Sequence, residues 1–275
     1  MNIYWEGVKK EMELELKNKV AIVTGGGWGM GKATALGFAE EGVKVVISDL
    51  DEERGNAAFK EVKEKGGEAL FAKVDVANWE MVKQAVAITL ERFGQIDILV
   101  NNAGAWQTEF FVKQKREDWS FQVDVCFYGT LNFTKAIIDH MISRKTGSII
   151  NVASDAARIG EPNQPIYSGA KAAVVAFSKA LAKEVGPQGI RVNVVCPSMT
   201  IGERRTEMVE KMKQENPEKY AEYEDQMKKV LRLYPLRKFG RPEDVANMIV
   251  FLASDLRAGH ITGQTISING GYCMV

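Results

Sequence analysis

Tyr167 and Lys171 close the run Tyr167-Ser168-Gly169-Ala170-Lys171, and Ser154 precedes them at the end of an apolar stretch. At i and i+4 the phenol and the ammonium share one helix face. An alcohol gives up a hydride only if its hydroxyl proton leaves as well, and a free tyrosine, with a pKa of about 10, is a poor base at neutral pH. A neighbouring ammonium and a cationic hydride acceptor would favour the phenolate, which makes Tyr167 the expected general acid/base. Ser154 is placed to donate to the substrate oxygen and hold it about one hydrogen-bond length from the phenol. Singly, each residue has an ordinary alternative: Tyr/Lys pairs at this spacing occur on many exposed helices, and a serine there can merely cap the next turn.

Short β-branched runs alternate with longer segments of helical period, the pattern of βαβ units around a parallel sheet. Seven strands are predicted, at Val20–Thr24, Lys44–Asp49, Ala69–Asp75, Ile96–Asn101, Ser148–Ala153, Arg191–Cys196 and Thr265–Asn269. The expected fold is α/β, a doubly wound, seven-stranded parallel Rossmann sheet with helices on both faces. No linker rich in Pro, Ser or Gly divides residues 19–275, which read as one domain behind an extension at 1–18. The first strand runs into Thr24-Gly25-Gly26-Gly27-Trp28-Gly29-Met30-Gly31, after which Lys32–Glu41 reads as a helix. Glycines there let the backbone approach a pyrophosphate at a helix N-terminus. Asp49 ends the second strand about 20 residues beyond Gly29, where a carboxylate accepts from an adenosine ribose. Gly25, Trp28, Gly29, Met30, Gly31, Asp49 and Leu50 are therefore candidate dinucleotide contacts. The carboxylate repels a 2′-phosphate and neither Gly26 nor Leu50 brings a cation, so NAD is expected rather than NADP.

Asn101-Asn102-Ala103-Gly104 after strand four, Ser154 after strand five, the Tyr167/Lys171 pair, Asp75-Val76 and Pro197 complete a set. From about Lys19 to Gly271 it resembles the short-chain dehydrogenase/reductase family. The resemblance implies an oxidoreductase interconverting a secondary alcohol and a ketone, with Ser154, Tyr167 and Lys171 catalytic and Lys171 also holding the nicotinamide ribose. It further implies that Asn101, Asn102, Ala103 and Gly104 border the cofactor, that Asp75 and Val76 contact the adenine, and that Pro197 and Thr200 lie near the nicotinamide.

Two positions depart from the family pattern. Cys126 stands where the family usually carries an asparagine thought to support a water between the lysine and solvent, and a thiol is a much weaker partner. After Pro197 the chain reads Ser198-Met199-Thr200-Ile201-Gly202, so Gly202 cannot supply the family's threonine contact and Thr200 is the nearest substitute. Locally, Asn151 to Gly160, Ala176 to Lys179 and Val194 to Pro197 are similar to the branch of 2-hydroxycyclohexanecarboxyl-CoA dehydrogenase, which acts on cyclic β-hydroxyacyl-CoA esters. Alternatives are a 3-oxoacyl-carrier-protein reductase, a steroid or sugar alcohol dehydrogenase and, motivated by Cys126 and Ser198, a non-catalytic partner subunit.

The 275 residues hold 36 basic and 36 acidic side chains, with no block of like charge, which argues against nucleic-acid and polybasic membrane binding. Three scattered cysteines and two histidines, His140 and His260, offer neither a disulfide framework nor a metal site. A cytoplasmic protein without a metal is expected, and no apolar stretch approaches the roughly 18 residues of a membrane span. Residues 202–233 carry eight acidic and eight basic side chains at helical spacing, a helical insertion beside the substrate. Its Arg204, Arg205, Lys211 and Lys213 either meet CoA phosphates or, interleaved with Glu203, Glu207 and Glu210, form a solvated helix face. Trp106, Gln107, Asp155 to Gln164 and Met199 are candidate pocket residues. By resemblance the chain assembles as a homotetramer through long helices and its last strand.

Overall fold

A parallel strand covered on both faces reads as a near-continuous apolar run, and Val20–Thr24, with all five residues buried, is the clearest example. A computed structural model describes residues 13–275, and of Arg204 the backbone only. The strands are β1 (Val20–Thr24), β2 (Lys44–Asp49), β3 (Ala69–Lys73), β4 (Ile98–Asn101), β5 (Gly147–Val152), β6 (Ile190–Pro197) and β7 (Thr265–Ile268). They form one sheet in the order β3-β2-β1-β4-β5-β6-β7, and every pair is parallel. Helices α1 (Gly29–Glu40), α2 (Glu52–Glu64) and α10 (Pro242–Ala253) cover one face. Helices α3 (Trp79–Phe93), α5 (Gly129–Arg144) and α7 (Pro165–Val185) cover the other. The expected architecture holds in all seven strands.

Four strands start or stop short of their expected bounds, β5 and β7 by a single residue at their ends and β3 and β4 by two. β3 ends at Lys73, because β2, its partner on that edge, ends opposite it at Asp49. β4 begins at Ile98, because the residues before it are used otherwise. The Ile96 N–H donates to His140 Nε2 (3.2 Å), and the Asp97 carboxylate accepts from Val20 N–H (2.8 Å), Gln95 (2.9 Å) and Arg144 (2.9 Å). That buried cluster ties β1, β4 and α5 at the amino ends of the strands, away from the site.

The helix after Gly104 is not continuous. α4 (Glu117–Val123) passes through a π-helical turn, Asp124–Tyr128, into α5. The short α6 (Ala156–Ile159) precedes α7, and α11 (Asp255–Ala258) follows α10. The insertion expected at 202–233 forms two helices, α8 (Glu203–Glu215) and α9 (Pro217–Leu231). Asn216 separates them, accepting from Lys219 N–H at 3.0 Å as the cap of α9. Of the extension expected at 1–18, residues 1–12 lie outside the described part. Beyond them Leu14 and Leu16 are buried, and Ser254 donates to Leu14 O (2.6 Å). Among the described residues no helix is long and apolar enough to cross a membrane.

Candidate active site

In a doubly wound sheet the strands present their carboxyl ends to one crevice, at the point where strand order reverses. Here that point lies between β1 and β4. The sequence between Thr24 and Gly31 turns sharply over the end of β1. Gly29 has φ +53 and its Cβ position faces open space, so a bulky anion has room to approach the backbone where α1 begins. Gly31 is required for the opposite reason, because a Cβ there would meet Gly25 O and stand 2.5 Å from Asn102 Nδ2.

The turn is locked to the loop after β4. Asn102 Nδ2 donates to Thr24 O (2.9 Å) and Gly25 O (3.1 Å), while Thr24 Oγ1 accepts from the N–H groups of Asn102 (2.9 Å) and Ala103 (3.0 Å). Thr24 was not among the candidates from sequence, although it heads the glycine run. Asn101, expected to border the cofactor, is instead buried. Its amide donates to Asn151 Oδ1 (2.8 Å) and Thr134 Oγ1 (3.2 Å), and Asn151 donates on to Ser178 Oγ (2.8 Å), so Asn101 joins β4 to β5 and α5.

At the end of β2 the Asp49 carboxylate accepts from Gly27 N–H (2.9 Å) and Asp51 N–H (3.0 Å), which aims it at the glycine turn. Leu50 beside it is exposed, and the Arg54 guanidinium covers the Trp28 ring at 4.6 Å. Asp75 accepts from Ala77 N–H (2.9 Å), and Val76 is buried against Gly129. Met30 packs on the core below the turn. Pro197 ends β6 opposite Ile268, and Thr200 bridges to Gly240.

Tyr167 and Lys171 both lie on α7, whose first turn carries Pro165 where no backbone N–H is needed. Lys171 is buried and donates to Val152 O at 2.6 Å; its Nζ is 6.0 Å from the Tyr167 ring centroid and 3.5 Å from the Cβ position of Gly104. An ammonium has three donors, which leaves two for a ligand on the Gly104 side. Ser154 follows β5 and accepts from Ala156 N–H at 3.2 Å, so it does stabilise its own turn while facing Tyr167. Without a ligand, burial raises the Tyr167 pKa above that of a free phenol; Cys126 and Cys196 add to this and the Ser154 hydroxyl opposes it. Lys171, whose Nζ stands 6.0 Å from the ring centroid, is not among the groups that move it. Burial also pushes the Cys196 thiol up to about 11.

Cys126 sits in the π-helical turn. Its thiol accepts from Ala105 N–H (3.4 Å) and donates to Ala105 O (3.2 Å), clamping the residue that follows Gly104. The basic residues of the insertion split between partners: Arg205 donates to Tyr223 Oη (2.8 Å), and Lys211 pairs with Glu215 at 3.8 Å. Lys32 of α1 reaches Glu203 of α8 and Glu61 of α2, both at 3.0 Å, so the insertion is tied to the helix behind the glycine turn. Trp106 is 62% exposed, and Phe110, Phe111 and Phe121 are exposed as well.

Residues 25–273 match a family model described as enoyl-(acyl carrier protein) reductase. A 3-oxoacyl-[acyl-carrier-protein] reductase of Synechocystis sp. is 40% identical over 260 residues, covering 94% of this chain and 98% of that one. The (2S)-[(R)-hydroxy(phenyl)methyl]succinyl-CoA dehydrogenase subunit BbsD of Thauera aromatica is 40% identical over 256 residues, covering 93% and 97%. Among solved structures, L-sorbose reductase from Gluconobacter frateurii, complexed with NADPH and L-sorbose, superposes with a TM-score of 0.88 at 33% identity, covering 96% of this chain and 100% of that one.

Proposed function

Because the chain belongs to the short-chain dehydrogenase/reductase family, whose fold binds a nicotinamide cofactor, we propose that it interconverts a secondary alcohol and a ketone with NAD, on a cyclic or aromatic β-hydroxyacyl-CoA ester. One arrangement carries the reading: Ser154, Tyr167 and Lys171 meet at the carboxyl ends of β4 and β5, beside the Asn102 to Gly104 loop and on the same edge as the Asp49 carboxylate. Ser154 holds the substrate oxygen by a hydrogen bond, and Tyr167 takes the hydroxyl proton or returns it in reduction. Lys171 keeps a positive charge beside the ring and offers its two free donors to the cofactor ribose. When bound, the oxidised nicotinamide supplies the hydride acceptor and the positive charge against which the buried phenol ionises.

The residues present suit such a dinucleotide. Gly29 leaves open space at the start of α1, and Asp49 turns a carboxylate, held by Gly27 N–H, towards the site of an adenosine ribose. Gly25, Trp28, Met30, Gly31, Asp75, Val76, Asn102, Ala103, Gly104, Pro197 and Thr200 complete the proposed contacts. The thioester assignment draws on BbsD, named for a phenyl-bearing hydroxyacyl-CoA, and on the exposed Trp106, Phe110, Phe111 and Phe121. The three free cysteines, all buried, fit the cytoplasm, and the unpaired edge of β7 fits assembly as a homotetramer.

The reductases of Synechocystis and Thermotoga maritima, at 40% and 38% identity, favour a second reading, reduction of a 3-oxoacyl carrier protein. Cyclic β-hydroxyacyl-CoA esters, their free acids and an acetoacetyl carrier protein, each offered with NAD(H) and NADP(H), separate the two. NADH formation from the esters alone supports the first reading, equal rates on esters and free acids remove the thioester, and NADPH-linked reduction of the carrier-bound substrate selects the second. Tyr167→Phe should cost about 10²–10⁴ in turnover while binding NAD normally; retained turnover would refute the assigned acid/base.

A further inference from the structure

Asp155, the residue after the proposed catalytic Ser154, is a buried carboxylate that touches neither Tyr167 nor Lys171 among the described hydrogen bonds. Its Oδ1 accepts from Ser267 Oγ (2.9 Å) and its Oδ2 from Asn269 Nδ2 (2.6 Å). Every proton in this cluster has a defined place. Arg158 Nη1 donates to Ser267 Oγ (2.7 Å), so the serine's own proton must point to Asp155. The Asn269 amide gives its other N–H to Cys273 O (2.7 Å) while its oxygen accepts from Gly271 N–H (2.9 Å), so its amide group has one orientation. Two donors converge on Asp155, an arrangement that suits the ionised form. Burial works against that form and pushes the carboxyl above its ordinary value, while the bonds from Asn269 and Ser267 and the Arg158 charge pull it back.

The backbone repeats the connection. Asp155 N–H donates to Pro197 O (3.1 Å), and Asp155 O accepts from the N–H groups of Arg158 (2.8 Å) and Ile159 (3.1 Å), so Asp155 is the residue from which α6 hangs. A second link reaches the other catalytic residue. Tyr272 Oη donates to Glu161 Oε1 (2.8 Å), and Glu161 N–H donates to Ser168 Oγ (3.2 Å), the neighbour of Tyr167. Tyr272 is itself fixed by stacking on Tyr234 at 5.0 Å between centroids. The segment from Ser154 to Tyr167 is thus held at both ends by residues 267–272.

We propose that Asp155 is the positioning residue of Ser154, and that through Ser267 and Asn269 it makes the end of β7 part of the framework that sets the serine against Tyr167. The assignment of Ser154 rests on the proposed function; the mechanical link does not. An amide at position 155 keeps one acceptor and turns the other into a donor, so Asp155→Asn either loses the bond from Asn269 or forces the Ser267 hydroxyl to turn away and accept, without changing the volume of the side chain. A displacement of the serine on the order of 1 Å would cost up to about 10²-fold in rate.

The test uses Asp155→Asn, Ser267→Ala and Ser267→Thr, the last keeping the hydroxyl. Hydrogen exchange of the cofactor-free protein reads the α6 amides of Ala157 to Gly160, and steady-state kinetics with NAD and 2-hydroxycyclohexanecarboxyl-CoA read kcat and KM. Asp155→Asn should speed α6 exchange about tenfold or more, with β1 and α1 unchanged, and lower kcat by about 10- to 100-fold while the KM for NAD stays within about twofold. Ser267→Ala should move both readouts in the same direction, and Ser267→Thr should restore them. Unchanged α6 exchange overturns the proposal, as does a loosened α6 with wild-type kcat. Equal loss of protection in β1 and α1 with a matching rise in the KM for NAD also overturns it, because that marks general loosening. A wild-type protein inactive on this pair counts against the function assigned above, and the exchange data then decide the link alone.

Discussion

Replacing Gly31 by alanine should damage the cofactor site more than any other single glycine change in the motifs. The added methyl would lie against Gly25 O and 2.5 Å from Asn102 Nδ2. Either the turn moves or Asn102 swings away and gives up its bonds to Thr24 O (2.9 Å) and Gly25 O (3.1 Å). Two such bonds are worth about 1 kcal/mol each, and forcing a methyl into a packed site adds about 1–3 kcal/mol. Removing a helical glycine returns about 1 kcal/mol. The net loss is about 2–4 kcal/mol, or on the order of 5–12 °C in Tm for a domain of this size. Because the displaced groups form the turn itself, NAD affinity should fall about tenfold or more. Two other glycines calibrate the argument. Gly29→Ala keeps open space around its Cβ but holds φ at +53, a strain of about 1–2 kcal/mol. Gly169→Ala, in α7 with no neighbour within 4 Å, should stabilise by about 0.5–1 kcal/mol. Thermal unfolding followed by fluorescence titration with NADH gives the order. A Gly31→Ala protein that melts and binds like Gly169→Ala would refute the close approach between the turn and Asn102.

If NAD is the cofactor, as proposed, Asp49→Ser should narrow its preference over NADP by an order of magnitude or more, on the order of one charge repulsion at a partly solvated site, measured as the ratio of kcat/KM with the two cofactors; an unchanged ratio would show that Asp49 does not read the ribose. The His140 pKa is lowered, first by burial and then by the Arg144 charge, against the pull of Asp97. The unfolded chain therefore binds the proton more readily, and stability should fall as pH drops below about 6.5, with His140→Gln flattening that slope in urea titrations. Cys126→Asn keeps both a donor and an acceptor for Ala105 and should leave NAD affinity unchanged while altering the pH profile of turnover. A superimposable profile would reduce Cys126 to a clamp on the loop.

The sheet was legible because seven covered strands must be apolar and β-branched on both faces, and the errors fell where a strand end has other work, as at Ile96 and Asp97 with His140 and Arg144. The placement of Asp49 beside the glycine turn was legible because it depends on two adjacent strands close in the chain. The bonds of Asn101 to Asn151 and Thr134 could not be read from sequence, because the two residues of an Asn-Asn pair point to opposite sides of the strand end and type alone does not say which faces the core. The raised pKa of Tyr167 could not be read from the i, i+4 spacing, since it depends on the burial of the ring and on Cys126 and Cys196 closing around it. Thr24 escaped notice, and Asp155 was expected only as a pocket residue, for a common reason. Their partners lie at Asn102, Ser267 and Asn269, far along the chain, and no local pattern announces a hydrogen bond made across the fold.

Asp155 and Asn269 are 114 residues apart in the chain. During synthesis Ser154, Tyr167 and Lys171 have all been polymerised, and β1 to β5 can pair, long before the residues that brace the serine have left the ribosome. The growing chain would pass through a state that holds its cofactor turn but has no settled oxygen-binding site, and would acquire one only when β7 adds to the edge of the sheet. A protein assembled in this order cannot carry out its chemistry half-made.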